Sequence, residues 1–327
     1  MRDDAPRIAV DFARVTECHL REKTMQLRRT AVFAVLVAAT LLAMTSFASA
    51  GAFSFVISYG DSLSDNGNLF AVSGQPGAPY WMGRFSNGPV TVEQLSSLLS
   101  TPLKDYAWGG ATSGVGNYID GGSQTSLGTS LLPGMFPEVF NLTPASVWAN
   151  APTSLFVVWG GANDYFLTPH GSVSQAVTDI VTILDYLQSK GATHILVPGL
   201  PDLSLTPDYY GSSDAQQWSL AFNAGLLANL PKGVTYFDTY GFMHQVVANP
   251  SLYGFQDVTH ECILDLTTCG TDNYRYLFWD GVHPTTYADS LLAARFEQAA
   301  VPEPSTLIML GTGLAGLAGV VRRKMSA

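Results

Sequence analysis

The sequence predicts an α/β fold in which a parallel sheet carries helices on both faces, and three observations support that expectation. Short runs rich in Val, Ile, Leu or Phe recur along the chain, each followed by a Gly, Asn or Asp loop. Amphipathic helical patterns fill the gaps between them. The stretch between the two terminal segments, residues 51–301, has a length of 251, which suits one domain with a single large core.

The first run, Phe53 to Tyr59, reads as a buried strand feeding a turn at Gly60-Asp61. A short helix, Val90 to Leu99, follows Pro89. Further strands are expected at Leu155 to Trp159, His194 to Pro198 and Val234 to Phe237. The clearest helix runs from Ser172 to Ser189, where Val173, Val177, Ile180, Leu184 and Leu187 stand at offsets 0, 4, 7, 11 and 14 and form one apolar face; Gly191 ends it. Asp214 to Leu230 and Thr285 to Ala299 give two more helices. Gly109 to Gly128 and Gly211 to Asp214 read as loops. In an open sheet of this kind, function gathers beyond the carboxyl ends of the strands, where the polar motifs fall.

Both ends read as addresses rather than as parts of the core. After Met25, Arg28 and Arg29 precede an apolar run from Ala31 to Met44, and Ala48-Ser49-Ala50 offers a small-x-small cleavage site. This predicts a leader and secretory signal over residues 1–50, removed by signal peptidase near Gly51. The competing reading is a membrane anchor, for which the run is short of the ~20 residues a spanning helix needs. At the other end, Val301-Pro302-Glu303-Pro304-Ser305 leads into an uncharged, mostly apolar segment, Thr306 to Val321, closed by Arg322-Arg323-Lys324. At a rise of ~1.5 Å per residue that segment reaches about 24 Å, enough for transient membrane association and short of a typical hydrocarbon core. Residues 302–327 resemble the PEP-CTERM sorting signal of Gram-negative bacteria. The resemblance implies recognition by an exosortase and delivery to the cell surface or extracellular matrix, with an ordinary tail anchor as the alternative.

Between the ends, six lysines and arginines face twenty aspartates and glutamates, a formal charge of −14. Such a surface repels phosphate backbones, and nucleic acid is excluded as a partner. Cys262 and Cys269 remain as an even pair in a chain expected to be exported, which predicts a disulfide. Zinc is the competing use, with His260 nearby, but these gaps match no standard ligand spacing and no metal or other cofactor is expected.

Four segments carry chemistry. Gly60-Asp61-Ser62-Leu63, continued by Ser64-Asp65-Asn66-Gly67-Asn68, presents a serine directly after the first strand. Asp280-Gly281-Val282-His283-Pro284 stands just upstream of the last helix. A serine needs an imidazole to take its proton, and the imidazole needs a carboxylate to fix its tautomer. The three-residue offset lets Asp280 reach Nδ1 of His283 and leaves Nε2 free to face Ser62. Acyl transfer also needs donors aimed at the developing oxyanion. Gly160-Gly161-Ala162-Asn163-Asp164, after the strand at Leu155, offers the Asn163 amide, and Asp105-Tyr106-Ala107-Trp108-Gly109-Gly110-Ala111-Thr112 offers glycine N–H groups.

In type and order, the four segments resemble the conserved blocks of the GDSL, or SGNH, hydrolases, spread from residue 60 to residue 284. The resemblance implies a three-layer α/β/α sandwich around a mainly parallel five-stranded sheet of flavodoxin-like type. It further implies Ser62 as nucleophile, Asp280 and His283 as its partners, and an oxyanion hole made by Gly110, or alternatively Gly109, with Asn163 and the Ser62 N–H. Asp105 departs from the family pattern, which often has Asn there, so the bracing of that loop is an open point. The expected activity is hydrolysis of a carboxylic ester, lipid or acylated carbohydrate, through an acyl-enzyme. The alternatives are a carbohydrate O-acetyl esterase acting on exopolysaccharide, and a catalytically idle matrix or carbohydrate-binding protein.

Other residues have plainer expectations. His170, His194, His244 and His260 lack partners at catalytic spacing and read as surface or core. Tyr80, Trp81, Phe85 and Trp108 read either as walls of an acyl pocket or as core packing. Asp65, Asn66 and Asn68 either brace the serine loop or simply form its turn.

Overall fold

The computed structural model describes Met25 and residues 53–269 and 276–301. Apart from Met25, the leader and signal segment lie outside the described residues, as does the C-terminal sorting segment from residue 302 on.

Strand β1 (Val56–Gly60) is buried along its whole length and is followed by helices α1 (Asn68–Ser73) and α2 (Thr91–Leu98). Next come β2 (Leu103–Asp105), β3 (Leu155–Trp159), α3 (Ala162–Phe166), α4 (Val173–Ser189), β4 (His194–Pro198), α5 (Ser213–Asn229), β5 (Thr235–Phe237) and α6 (Thr239–Ala248). Two short strands, β6 (Asp257–Glu261) and β7 (Tyr276–Phe278), pair with each other, and α7 (Thr286–Ala300) closes the domain.

The main sheet has five strands in the order β2-β1-β3-β4-β5, every pair parallel. Side-chain alternation along the strands divides the core in two. Ile57 and Tyr59 of β1, with Phe156 and Val158 of β3, pack under α4 and α5, joined by Ile180, Leu184, Leu187 and Phe222. Val56, Leu155, Val157 and Trp159 face the other way, against Val92 and Leu95 of α2 and Ala293 and Phe296 of α7. Helices thus cover both faces, and the fold is the expected three-layer α/β/α sandwich with a parallel five-stranded sheet.

The expected elements are present with bounds shifted by a few residues. The first strand begins at Val56 rather than Phe53 because Ser54 N–H already bonds Thr153 O at 2.7 Å, outside the sheet ladder. Several elements carry no expectation from the sequence, among them β2, the short helices α1 and α3, α6 and the β6–β7 pair. Three-residue β2 is too short to display a period, and only its pairing with Val56, Ile57 and Ser58 makes it a strand.

In this strand order the chain reverses direction of winding between β1 and β3, and the crevice at their carboxyl ends is where such sheets place ligands. Ser62 follows β1 and Asn163 follows β3, so both stand at that crevice.

Candidate active site

The Ser62 turn is built by its own aspartates. Asp61 O accepts the N–H groups of Ser64 and Asp65, both at 3.0 Å, and Asp61 Oδ1 accepts from Leu63 N at 3.1 Å. Asp65 is fully buried and caps α1: Oδ1 accepts from Gly67 N (2.8 Å) and Asn68 N (2.6 Å), and Oδ2 from Leu69 N (3.2 Å). The same Oδ2 accepts the Gly109 N–H at 2.7 Å, tying the serine loop to the glycine loop.

Asp105 completes that brace. Its carboxylate accepts from Asn66 N (2.8 Å) and Ala107 N (3.2 Å), while Asn68 Nδ2 donates to the carbonyls of Asp105 (3.2 Å) and Ala107 (2.9 Å). An asparagine at 105 could accept with only one oxygen; the aspartate accepts with both. Asn66 and Asn68 therefore brace the loop as well as turn it. Burial, reinforced by the nearby Asp65, pushes the Asp105 carboxyl well above the usual range.

The Asp280–His283 loop is a tight return at the end of β7. Trp279 N donates to His283 O at 2.8 Å, and Phe278 bridges to Pro284 in antiparallel fashion. Inside the turn, Asp280 Oδ1 accepts the backbone N–H groups of Val282 (3.0 Å) and His283 (2.7 Å). The imidazole folds back over the same carboxylate, with Nδ1 2.8 Å from Oδ2 and 2.9 Å from Oδ1. A carboxylate can only accept, so Nδ1 carries the proton and Nε2 is the acceptor. Nε2 lies 2.7 Å from Ser62 Oγ. The structure thus brings Ser62, His283 and Asp280 into one hydrogen-bonded chain.

Electrostatics follow from burial and this pairing. Burial opposes the charged imidazole of His283, but the Asp280 carboxylate outweighs it and leaves the pKa above the ordinary histidine value. Burial likewise opposes the Asp280 carboxylate, yet His283 and the two backbone donors hold it down to about 2. Asp61, adjacent to the serine, is pushed up to about 6 by burial.

Among the oxyanion candidates, the two glycines separate cleanly. The Gly109 N–H is committed to Asp65, whereas among the described residues no acceptor takes the N–H of Gly110 or of Ser62. Gly110 adopts φ +79°, and a Cβ there would press on Ile119, so the position needs glycine. Asn163 is buried; one amide hydrogen goes to Ala111 O at 3.0 Å and the second is free to point into the crevice.

Three residues carry parts of this site that the sequence did not reveal. Tyr80 OH donates to Asp280 Oδ2 at 2.7 Å, and the Phe85 ring lies 4.9 Å from the imidazole of His283. The loop holding them is pinned to the histidine loop, since Ser86 Oγ donates to Pro284 O at 2.9 Å and Thr286 N to Asn87 Oδ1 at 2.8 Å. Glu138, fully buried, accepts from Gly60 N (2.9 Å) and Trp108 N (3.2 Å), joining the strand end beneath Ser62 to the glycine loop. No local pattern announces Glu138, because both of its partners are backbone groups far away in sequence.

A cleft, part of it open to solvent, is lined by Ser62, Asn163 and His283 at one end. Its remaining wall is mostly apolar and comes chiefly from α6, α7, β7 and the loop after β4, with Trp159, Phe166 and Phe255 added. The aromatic residues suggested from the sequence as pocket walls, Tyr80, Trp81, Phe85 and Trp108, do not line it. Tyr80 and Phe85 pack instead behind the Asp280–His283 pair.

Of the other histidines singled out, His194 packs its ring against Phe53, and three meet acidic residues, two across the fold and His260 within its own turn. His244 Nε2 lies 2.8 Å from Asp202, His260 Nδ1 2.8 Å from Asp257, and His170 Nε2 3.2 Å from Asp214. None of these three lines the cleft. Cys262 and Cys269 are bonded to each other, with Cα atoms 5.5 Å apart.

The chain is similar to several known proteins. The chain is 28% identical over 273 residues to the thermolabile hemolysin of Vibrio parahaemolyticus, an overlap covering 73% of this chain and 62% of that protein. It is 28% identical over 247 residues to the phosphatidylcholine-sterol acyltransferase of Aeromonas hydrophila, covering 70% and 71%. Among solved structures, a lipase/acylhydrolase from Enterococcus faecalis aligns over 75% of this chain and 93% of its own, at 13% identity and a TM-score of 0.45. A catalytic mutant of an acetylxylan esterase from Geobacillus stearothermophilus aligns over 78% and 96%, at 11% identity and a TM-score of 0.46. The PEP-CTERM protein-sorting motif matches residues 300–324. The GDSL-like Lipase/Acylhydrolase profile matches residues 56–296, spanning the sheet, the serine loop and the histidine loop, and the chain belongs to that family.

Proposed function

We propose that residues 51–301 form an exported serine esterase that hydrolyses carboxylic esters through an acyl-enzyme. The observation that carries this reading is the unbroken chain from Ser62 Oγ through His283 to Asp280, with contacts of 2.7 Å and 2.8 Å.

Ser62 Oγ attacks the ester carbonyl carbon while His283 Nε2 takes the hydroxyl proton. Asp280 keeps Nδ1 protonated and stabilises the imidazolium. The oxyanion is received by the N–H groups of Ser62 and Gly110 and by the Asn163 amide, donors of the kind whose loss costs ~3 to 4 kcal/mol each. The imidazolium returns its proton to the leaving alcohol. Water, activated by the same imidazole, then releases the acid and restores Ser62.

The sorting motif at residues 300–324 supports export, with the signal segment removed at the N-terminus and exosortase processing at the C-terminus. The Cys262–Cys269 bond fits an oxidising destination. A mature C-terminus lacking Arg323, read by mass spectrometry, is the expected mark of processing.

The catalytic reading is tested with short p-nitrophenyl esters and a fluorophosphonate label, applied to the wild-type protein and to Ser62→Ala. Hydrolysis and labelling are expected in the first and absent from the second. Activity surviving in Ser62→Ala would remove Ser62 from the mechanism.

A further inference from the structure

The third apolar cluster of the domain has a hollow centre. Phe242, Met243 and Val246 of α6, with Phe255, Leu277 and Phe278, are all buried in one cluster together with Ala288 of α7. All seven also line the cleft that begins at Ser62 and His283. Protein interiors fill to near-crystalline density, so a cluster of large apolar side chains arranged around empty space is built for something other than mutual packing.

The chemistry of the wall narrows the occupant. Away from the catalytic end, its hydroxyl-bearing residues are Thr206 and Thr239. Thr206 Oγ1 is already spent on Leu203 O at 2.7 Å. Thr239 Oγ1, buried and without a partner among the described residues, is then the one hydroxyl left to pair. A sugar pushed into this space would leave most of its own hydroxyls unpaired, a heavy penalty in an apolar site, whereas a hydrocarbon chain has no hydrogen bonds to lose. The leaving alcohol has no such demand, because the cleft opens to solvent.

The wall itself is held from behind. On the side of α6 away from the cleft, His244 Nε2 meets Asp202 Oδ2 at 2.8 Å, and Asp202, fully buried, also accepts from Ser204 Oγ (2.7 Å) and Gln216 Nε2 (3.2 Å). The apolar side of α6 is thereby kept at the edge of the cavity.

Resting on the serine-esterase reading, we propose that this hollow cluster is the acyl pocket, that it takes an unbranched medium-to-long hydrocarbon chain, and that Met243, Val246 and Ala288 set its usable length. The acyl part of the ester enters the domain beneath Ser62, and the alcohol part stays at the surface. Acetyl esters leave the pocket unused.

The test has two arms on the full chain. In the first, kcat/KM is measured for p-nitrophenyl acetate, butyrate, octanoate, decanoate and palmitate with wild type, Val246→Phe and Ala288→Leu, folding being checked by near-ultraviolet circular dichroism. Wild type should prefer octanoate or decanoate over acetate, and each variant should lower the decanoate-to-acetate ratio by about tenfold or more, the scale on which apolar pockets discriminate single methylenes. In the second, the polyene fatty acid cis-parinaric acid is titrated into Ser62→Ala, which cannot turn over. Saturable fluorescence enhancement is expected, displaced by decanoate and weakened by adding Val246→Phe. A wild-type preference for acetate, or a ratio unmoved in folded variants, overturns the pocket while leaving Ser62 chemistry standing. Chain binding without any ester hydrolysis supports the pocket and overturns the esterase reading instead.

Discussion

His283 Nε2 lies 2.7 Å from Ser62 Oγ although 221 positions separate the two residues. The contact forms because Ser62 follows β1, while the loop carrying His283 is folded back between β7 and α7, and both reach the same crevice. The predictions below start from that contact.

The acid limb of the pH profile should lie above the ordinary histidine value of 6.5. Only neutral imidazole accepts the serine proton, so kcat/KM rises as pH rises through the folded pKa of His283. The stability linked to this histidine has the opposite sense. A raised folded pKa adds stability that is fully present below the unfolded pKa and is lost as pH rises through the folded one. A kcat/KM profile whose acid limb falls clearly below 6.5 would contradict the pairing with Asp280.

Asp280 behaves as the mirror case. Its carboxyl is held from 3.8 down to about 2, so its contribution is present above 3.8 and disappears as pH falls toward 2. Asp280→Asn should remove that acid-side dependence and, by offering the wrong hydrogen-bond partner to Nδ1, lower kcat on the order of 10⁴-fold. Thermal melts between pH 2 and pH 5, with kcat measured at neutral pH, check both parts.

Tyr80→Phe removes a hydroxyl 2.7 Å from Asp280 Oδ2 while keeping the ring that packs at 6.0 Å from Trp279. A hydrogen bond to a charged group contributes about 1.5 to 3 kcal/mol, so kcat should fall roughly tenfold or more. KM for a short ester should stay close to wild type, which distinguishes orientation of the carboxylate from substrate binding.

Glu138→Gln places an amide NH₂ against one of two backbone donors, Gly60 N and Trp108 N. Facing Gly60 N it takes away that N–H's side-chain acceptor, and facing Trp108 N it sets donor against donor while Trp108 N keeps Gly60 O at 3.1 Å. Either way a buried hydrogen bond is lost, at a cost of about 1 to 3 kcal/mol. Urea unfolding should show the loss. Glu138→Ala, which takes the acceptor from Gly60 N, leaves Trp108 N only its bond to Gly60 O at 3.1 Å and adds a cavity, should destabilise further.

Thiol titration of unfolded, unreduced protein covering residues 51–301 should find no free cysteine, since Cys262 and Cys269 are the two within that span. Two titratable thiols would remove the disulfide.

The sequence by itself determined the layering of the domain and singled out Ser62, Asp280 and His283 as candidates, which the fold joins in one hydrogen-bonded chain. Alternating apolar strands and one-faced helices leave few ways to bury both surfaces. The Asp280–His283 spacing is a local matter, settled within four residues of one turn. Ser62 and Asn163 were legible as candidates for the same reason: each belongs to a short polar segment that follows an apolar strand, Ser62 in a turn after β1 and Asn163 in the first turn of α3. Tyr80, Glu138 and the choice of Gly110 over Gly109 were not legible, because each depends on a partner from a distant segment. The N–H of Gly109 looks as available as that of Gly110 until Asp65 Oδ2 is found 2.7 Å from it. Helix α6 hid for a related reason, since Gly241 interrupts a run whose apolar residues acquire a direction only by facing α7 and β7. The cavity beneath Ser62 was beyond any reading of the chain in one dimension. Empty space is a property of how several elements fail to meet, and only the packed tertiary structure decides where they do.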